Sequence, residues 1–280
     1  MKQIIKKGSF FTLMFLLLGC LSLYAADNDL ITRQITIKLE KAGTLPDRIG
    51  SSKKYKITNL KIIGEINGTD LRMIREMAGS NSTGNSTDGK LSVLDLSEAK
   101  IVGGGDYYYC YNVYDYKYCH TSNDAIDSYA FYGCRRLTSL TLPAGITGIG
   151  YQAFWYCSGL TSLTLPASIT RIGGSHAFQG CSGLTSIYVC AEKVPEIGSN
   201  VFVGVGAKKC TLYVPMGTYS DYLLSDFGNY FENIVELEAT CIQLEKAGTL
   251  PDRIASSKKY HIANLKIIGE INGTDLRMIR

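Results

Sequence analysis

Three consecutive stretches of the chain are near-copies of one another. Ala130 to Gly150 reads AFYGCRRLTSLTLPAGITGIG and Ala153 to Gly173 reads AFWYCSGLTSLTLPASITRIG, agreeing at 15 of 21 positions. A looser copy, AFQGCSGLTSIYVCAEKVPEIG, runs from Ala177 to Gly198. The rings Phe131, Phe154, Phe178 and Phe202 follow at intervals of 23, 24 and 24 residues. A period of that length marks a solenoid, whose units bury their apolar sides only by stacking on their neighbours. Solenoids mostly present surfaces rather than enclose chemistry.

Within each unit the spacing L-x-x-L-x-L sets a short strand, as in leucine-rich repeats. It occurs at Ile57-Leu60-Ile62, Leu91-Leu94-Leu96, Leu137-Leu140-Leu142, Leu160-Leu163-Leu165 and Leu184-Ile187-Val189, and continues at Leu212 and Val214. Six parallel strands at the usual inter-strand spacing give a sheet roughly 25 Å long in the stacking direction. A second apolar pair in each unit, Ile146/Ile149, Ile169/Ile172 and Val194/Ile197, lines the opposite side. Pro143 and Pro166 end the strands, and Gly150 and Gly173 permit the turn into the next unit. The expectation is an α/β leucine-rich-repeat solenoid with a parallel sheet of about six short strands. A β-α-β module caps its N-terminal end and a small helical cap its C-terminal end.

The N-terminal cap is read from residues 57–96. Asn67-Gly68 makes a turn, Thr69 or Asp70 caps a helix, and Leu71, Ile74, Met77 and Ala78 share one face, closed by Gly79. Ser80 to Gly89 reads as a mobile polar loop with nothing to bury. At the far end, Tyr219, Tyr222, Leu223 and Phe227 predict the capping helix, and Ile234 to Glu238 returns to extended chain. Leu244 to Arg280 then repeats Leu39 to Arg75 with three differences, Gly50/Ala255, Lys56/His261 and Thr58/Ala263. This copy stops inside its helix, which reads as a piece of a longer tandem protein. The expected segments are a signal peptide (1–25), the strand-helix-strand cap (27–100), a tyrosine-rich insertion (101–128), the repeats (129–215), the C-terminal cap (216–240) and the truncated second cap (241–280).

The first residues read as an export signal. Lys2, Lys6 and Lys7 precede an apolar run from Phe10 to Leu18, and small residues follow at Gly19, Ala25 and Ala26. Two processing routes compete: cleavage after Ala25, or lipidation of Cys20 in the lipobox-like Leu17-Leu18-Gly19-Cys20. Apolar Leu21 and Leu23 after the cysteine favour ordinary cleavage. No further hydrophobic span follows, so the mature chain has no expected membrane span. Charge is uneven: residues 36–75 carry nine basic and four acidic side chains, whereas 76–243 carry nine against fifteen. A basic end on an acidic body, in an exported chain, does not point to nucleic acid.

Nine cysteines in an exported protein raise the question of disulfides. Cys134, Cys157 and Cys181 share one repeat position and are expected as a ladder of small buried thiols. Cys110 and Cys119 bracket an eight-residue loop and are a candidate disulfide.

Two surfaces are candidates for binding. The segment DYYYCYNVYDYKYCHTSND places Tyr107, Tyr108, Tyr109, Tyr111, Tyr114, Tyr116 and Tyr118 within twelve residues. They cannot all enter a small core, and exposed tyrosines bind well because each offers large rigid area and a hydroxyl. Tyr108, Tyr114 and Tyr116 are the expected exposed set. The blander reading is that Tyr107, Tyr109 and Tyr111 cover a wider flank of the solenoid. Strand alternation supplies the second surface, the outer sheet face with Ser139, Thr141, Ser162, Thr164, Ser186, Tyr188 and Tyr213. No arrangement of catalytic side chains is legible, and no metal or cofactor is expected. The three histidines, His120, His176 and His261, are isolated from any Ser-His-Asp order or ligand cluster.

The blocks AFxxC, LTSLTLPxxIT and IG, with Cys210-Thr211-Leu212-Tyr213-Val214-Pro215, resemble BspA-like leucine-rich repeat proteins of bacterial surfaces. The resemblance spans most of residues 39–238. It implies a non-catalytic solenoid, secreted or held at the cell surface, that binds an extracellular protein of the host matrix or of another bacterium. Surface glycan capture, or a spacer role in a larger tandem protein, are the alternatives. The family fixes no binding residues by motif.

Overall fold

The computed structural model describes residues 30–112, 116–206, 209–237, 240–243, 265–268 and 274. The expected leader with Cys20, the expected cleavage point after Ala25, Tyr114, and most of the second cap copy lie outside the described residues.

The chain opens with strand β1 (Ile35–Leu39), a single helical turn α1 (Leu45–Arg48), and the long strand β2 (Asn59–Ile66). Helix α2 (Gly68–Met77) leads to β3 (Val93–Asp95) and β4 (Ala99–Ile101). The tyrosine-rich insertion is a hairpin of β5 (Gly104–Asn112) and β6 (Tyr116–Thr121), followed by β7 (Ala125–Ile126). The repeats then alternate between two sheets: β8 (Ser139–Thr141), β9 (Gly148–Ile149), β10 (Ser162–Leu165), β11 (Arg171–Ile172), β12 (Ser186–Val189), β13 (Glu196–Ile197) and β14 (Thr211–Val214). Helix α3 (Tyr219–Leu224), a 3-10 turn over Asp226–Asn229, and β15 (Asn233–Glu236) close the solenoid.

The main sheet runs β1-β2-β3-β8-β10-β12-β14-β15, parallel throughout, with β4 pairing the second half of β2. All six strands read from the leucine spacing are present. Two more, β1 and β15, extend the sheet at its ends. The register places Leu60, Leu94, Leu140, Leu163, Ile187 and Leu212 in one row, each at most 4% exposed. Opposite, β7, β9, β11 and β13 form a narrow parallel sheet with Ile126, Ile149, Ile172 and Ile197 in line.

Between the sheets the repeat phenylalanines make a continuous pile. Phe131–Phe154, Phe154–Phe178 and Phe178–Phe202 stack at centroid distances of 5.3, 5.0 and 5.3 Å, within 7° of parallel. The thiols beside them are free and buried. Cys157 Sγ donates to the Phe131 carbonyl and Cys181 Sγ to that of Phe154, both at 3.1 Å, so each thiol satisfies the rung before it. Threonines do the same on the solvent side: Thr138, Thr161 and Thr185 each bond the carbonyl one rung earlier through Oγ1. One residue type at one position thereby serves several rungs, which is why the repeat is so strict there.

Burial pushes the Cys134 thiol up to about 11, Cys181 to about 12 and the Tyr109 phenol to about 12. The unfolded chain ionises these groups first, so stability is fully present below about pH 8.5 and drains away as pH rises toward the folded values. Melting temperature should be flat from about pH 6 to 8 and fall between about pH 9 and 11. A melting temperature that held to pH 11 would contradict the buried ladder.

The N-terminal cap departs from the expectation in detail. The helix cap is Asn67, not Thr69 or Asp70: its Oδ1 accepts from Thr69 N, and Asp70 returns a bond from Asn67 N at 2.9 Å. Asp70 also accepts from the amides of Gly43 and Leu45, tying the turn before α1 to α2. The segment 80–89 is pinned rather than loose. Ser80 and Ser82 are buried, Asn81 Oδ1 accepts from the amides of Thr83 and Asn85, and Ser82 O receives the amide of Cys110. The Ser82 carbonyl gives the hairpin's Cys110 amide its partner, a tertiary role that the segment's composition does not announce.

At the other end Tyr222 is fully buried on α3 and donates its hydroxyl to Ala191 O at 2.7 Å. Strands β16 (Thr240–Gln243) and β17 (Leu265–Ile268) pair in parallel, Thr240 opposite Leu265. At the repeat offset, 205 residues from Leu39 to Leu244, that register matches Ile35 opposite Leu60 in the first copy.

Candidate functional site

The hairpin rests on α2. Gly68 is needed at the contact, because a Cβ there would run into the Asp106 carbonyl. Asp106 N donates to Thr69 Oγ1, and the Arg72 and Arg75 guanidinium groups sit 4.8 and 4.9 Å from the ring centroids of Tyr107 and Tyr109. Arg75 is fully buried. Its Nη1 donates to the carbonyls of Tyr129 and Ala130, and its Nη2 to those of Asn81 and Tyr132 and to Ser80 Oγ. One side chain thus clamps the cap helix, the 80–89 segment and the first repeat turn together.

From that clamp an aromatic strip runs outward along the repeat turns. Tyr129 contacts Tyr109 (4.9 Å), Tyr111 (5.0 Å), Tyr132 (5.8 Å) and Tyr151 (5.4 Å). Tyr151 reaches His176 at 6.3 Å, while Tyr132 meets Trp155 at 5.4 Å and Trp155 stacks on Tyr156 at 5.1 Å. Arg135 lies 5.7 Å over the Tyr156 ring. Tyr151 and Tyr156 are 36% and 43% exposed, and Tyr111, Tyr129, Tyr132, Trp155 and His176 are half-buried.

The turns position these rings through left-handed backbone. The residue two before each phenylalanine has positive φ: Tyr129 62°, Gln152 52°, His176 71° and Asn200 58°. The residue two after it is glycine in three turns but Tyr156, φ 58°, in the second. Holding a tyrosine in that region costs on the order of 1 kcal/mol. The chain tolerates it twice, at Tyr129 and Tyr156, both in the strip.

The tyrosines read from the sequence divide accordingly. Tyr107 and exposed Tyr118 pair at 4.9 Å on the hairpin, and Tyr109 and Tyr111 join the strip. Tyr108, expected among the exposed rings, is instead fully buried and donates its hydroxyl to Ser128 O, and burial raises its pKa. The register shift between Gly104 and Tyr109 alters the alternation that a regular strand would impose. Tyr116 is placed by its backbone in β6.

The disulfide candidate is also corrected. Cys110 and Cys119 are free thiols. Tyr109 pairs with Cys119 and Cys110 with Tyr118, which sends the two sulfurs to opposite faces of the ribbon.

On the outer sheet face, parallel register sets Ser139, Ser162 and Ser186 in one row, with Thr141, Thr164, Tyr188 and Tyr213 in the next. Tyr188 and Tyr213 stack at 4.6 Å, 9° from parallel. The second row begins at Lys61, which is 1% exposed and pairs with Glu98 at 2.7 Å and Asp95 at 3.6 Å. This face lies on the strands and the strip lies on the turns. The sequence reading missed Tyr129, Tyr132, Tyr151, Trp155 and Tyr156, which occupy the variable places around AFxxC that a comparison of copies discards as noise.

Beside the strip is a shallow cleft of about 350 Å³ floored by Gly148, Gly150, Gly173 and Gly174. Asp127, Tyr151 and Arg171 stand around it. Asp127 already accepts from Ser122 N and Oγ. Among the described residues no helix is long and apolar enough to cross a membrane.

The sequence model of the family described as BspA type leucine rich repeat region matches residues 100–227, in six copies. No curated protein matches the chain.

Proposed function

Since residues 100–227 of this chain are BspA-type leucine-rich repeats, we propose that it is an exported, non-catalytic surface protein that captures another extracellular protein through its turn aromatics. The observation that carries this is the strip itself, continuous from Tyr111 to His176 and from Tyr132 to Tyr156. Mutually buttressed tyrosine and tryptophan rings that are exposed or half-buried lose little side-chain entropy on binding and supply both apolar area and hydroxyls. One of them, Tyr156, is held in left-handed backbone at a position where glycine serves in the other turns. Tyr107 and Tyr118 extend the surface onto the hairpin. The leader-like N-terminus supports export, and the disulfide at Cys190 fits an oxidising compartment. A host matrix protein or another bacterium's surface protein is the fitting class of partner.

The test is capture on immobilised extracellular-matrix proteins. A chain carrying Tyr111→Ala, Tyr151→Ala and Tyr156→Ala should lose at least about tenfold in affinity, in line with the truncation of aromatic hot spots, and keep its melting temperature within a few degrees. Tyr108→Ala should do the reverse, unfolding earlier because it removes a buried ring. Retained capture by the triple variant would sink the reading.

The cleft favours one second reading, capture of a surface glycan. A tyrosine platform beside a carboxylate, a guanidinium and a glycine floor suits a sugar ring with vicinal hydroxyls. Arg171→Ala would then abolish retardation in a polysaccharide gel and leave matrix-protein capture untouched.

A further inference from the structure

The two ends of the solenoid carry opposite charge. Residues 30–56 hold seven basic and two acidic side chains, whereas residues 216–238 hold five acidic and no basic ones. At the N-terminal end, beside the outermost strand β1, an apolar groove of about 250 Å³ is lined by Ile31, Ile35 and Ile49 and rimmed by Arg33, Arg48 and Lys53. None of these three cations forms an ion pair among the described residues. At the C-terminal end, Leu223, Leu224 and Val235 are 43%, 86% and 45% exposed. Asp221, Asp226 and Glu232 belong to the same segment. An exposed apolar set in an acidic segment thus terminates one end, and an apolar groove rimmed by cations opens the other.

We propose that the chain associates head to tail with further copies of itself, the α3–β15 end of one copy seating on the β1 groove of the next. Three features favour a second copy as the occupant. The charges and the apolar shapes of the two ends are complementary, which steers encounter and disfavours like ends meeting. The whole main sheet is parallel, so a copy shifted along the solenoid axis offers its β1 in the same direction as β15. Leu224 is 86% exposed, so among the described residues nothing covers it. A contact between two different ends is heterologous and does not close on itself, so it generates open arrays rather than dimers.

Sedimentation velocity on the mature chain (residues 26–280) tests this. At low salt the weight-average mass should at least double between about 1 and 200 μM, and about 0.5 M salt should return it to the monomer. Leu223→Ser with Leu224→Ser, two exposed positions, should leave a monomer of unchanged melting temperature. So should Arg48→Glu with Lys53→Glu. Mixing the two variants restores one intact head and one intact tail, so it should give a 1:1 dimer and nothing larger. A chain monomeric at every concentration would overturn the proposal, as would association indifferent to Leu223→Ser with Leu224→Ser. Association that appears only after residues 238–280 are removed would overturn it too, because the occupant would then be the chain's own second cap copy.

Discussion

Arg75→Met is expected to destabilise the chain by about 3–5 kcal/mol in guanidinium titration, because it breaks a buried network of five hydrogen bonds from a charged donor. Among the described residues the arginine has no carboxylate partner. Its burial is offset by four main-chain carbonyls and the Ser80 hydroxyl, with the Tyr109 ring over the cation. It also lies in the last turn of α2, where the helix dipole favours a positive charge. Methionine fills the space, leaves the Ala130 carbonyl without a donor and takes one of two donors from the carbonyls of Tyr129, Asn81 and Tyr132; a buried acceptor left bare costs about 1–3 kcal/mol where water cannot enter. Lysine should not rescue the fold, because a single ammonium cannot span acceptors that a forked guanidinium reaches on two sides. Trp155, the only tryptophan, sits two contacts away through Tyr132 and reports the transition by its fluorescence. A loss below about 1 kcal/mol would show that the clamp is ornamental.

Phe154→Ala is the second large effect, also about 3–5 kcal/mol, from the lost ring and the cavity it leaves. Phe154 is 0% exposed and stacks on both Phe131 and Phe178. Rungs of a solenoid hold each other only through nearest neighbours, so an interior gap weakens coupling as well as stability. The variant should therefore unfold with a lower denaturant slope or in two steps, where the unaltered chain unfolds in one. Phe154→Leu should cost less than half as much, since it retains much of the volume. An unchanged single transition would contradict the picture of a shared phenylalanine pile.

What could be read from the sequence follows from what a repeat repeats. The Leu140 and Leu163 rows, the cysteine and phenylalanine ladders, and Pro143 and Pro166 at strand ends are identical from copy to copy because each rung meets the same neighbour. Their placement needs only the period. Three kinds of feature escaped for physical reasons. β1, and the pairing of the extended segment that is β15, escaped because an outermost strand has one neighbour to satisfy rather than two and carries no full leucine pattern. The phase of the tyrosine hairpin could not be counted through the shift between Gly104 and Tyr109. That shift undid the expected exposure of Tyr108, while the regular register beyond it, Tyr109 opposite Cys119, put Cys110 and Cys119 on opposite faces. The segment 80–89 looked idle because its partners, Arg75 and Cys110, come from other parts of the chain. The aromatic strip was the hardest to see. Tyr129, Tyr151 and Tyr156 sit where the copies disagree, and only the stacked rungs bring them side by side.

That division of labour, with shared positions for folding and divergent turn positions for binding, is the central claim. Hydrogen exchange on the chain alone and on the chain bound to an immobilised matrix protein that it captures tests it most directly. Amides of residues 107–111, 129–132 and 151–156 should exchange more slowly in the complex, while those of 139–141 and 186–189 should not change. Slowing confined to the sheet strands, with the turns unaltered, would contradict it.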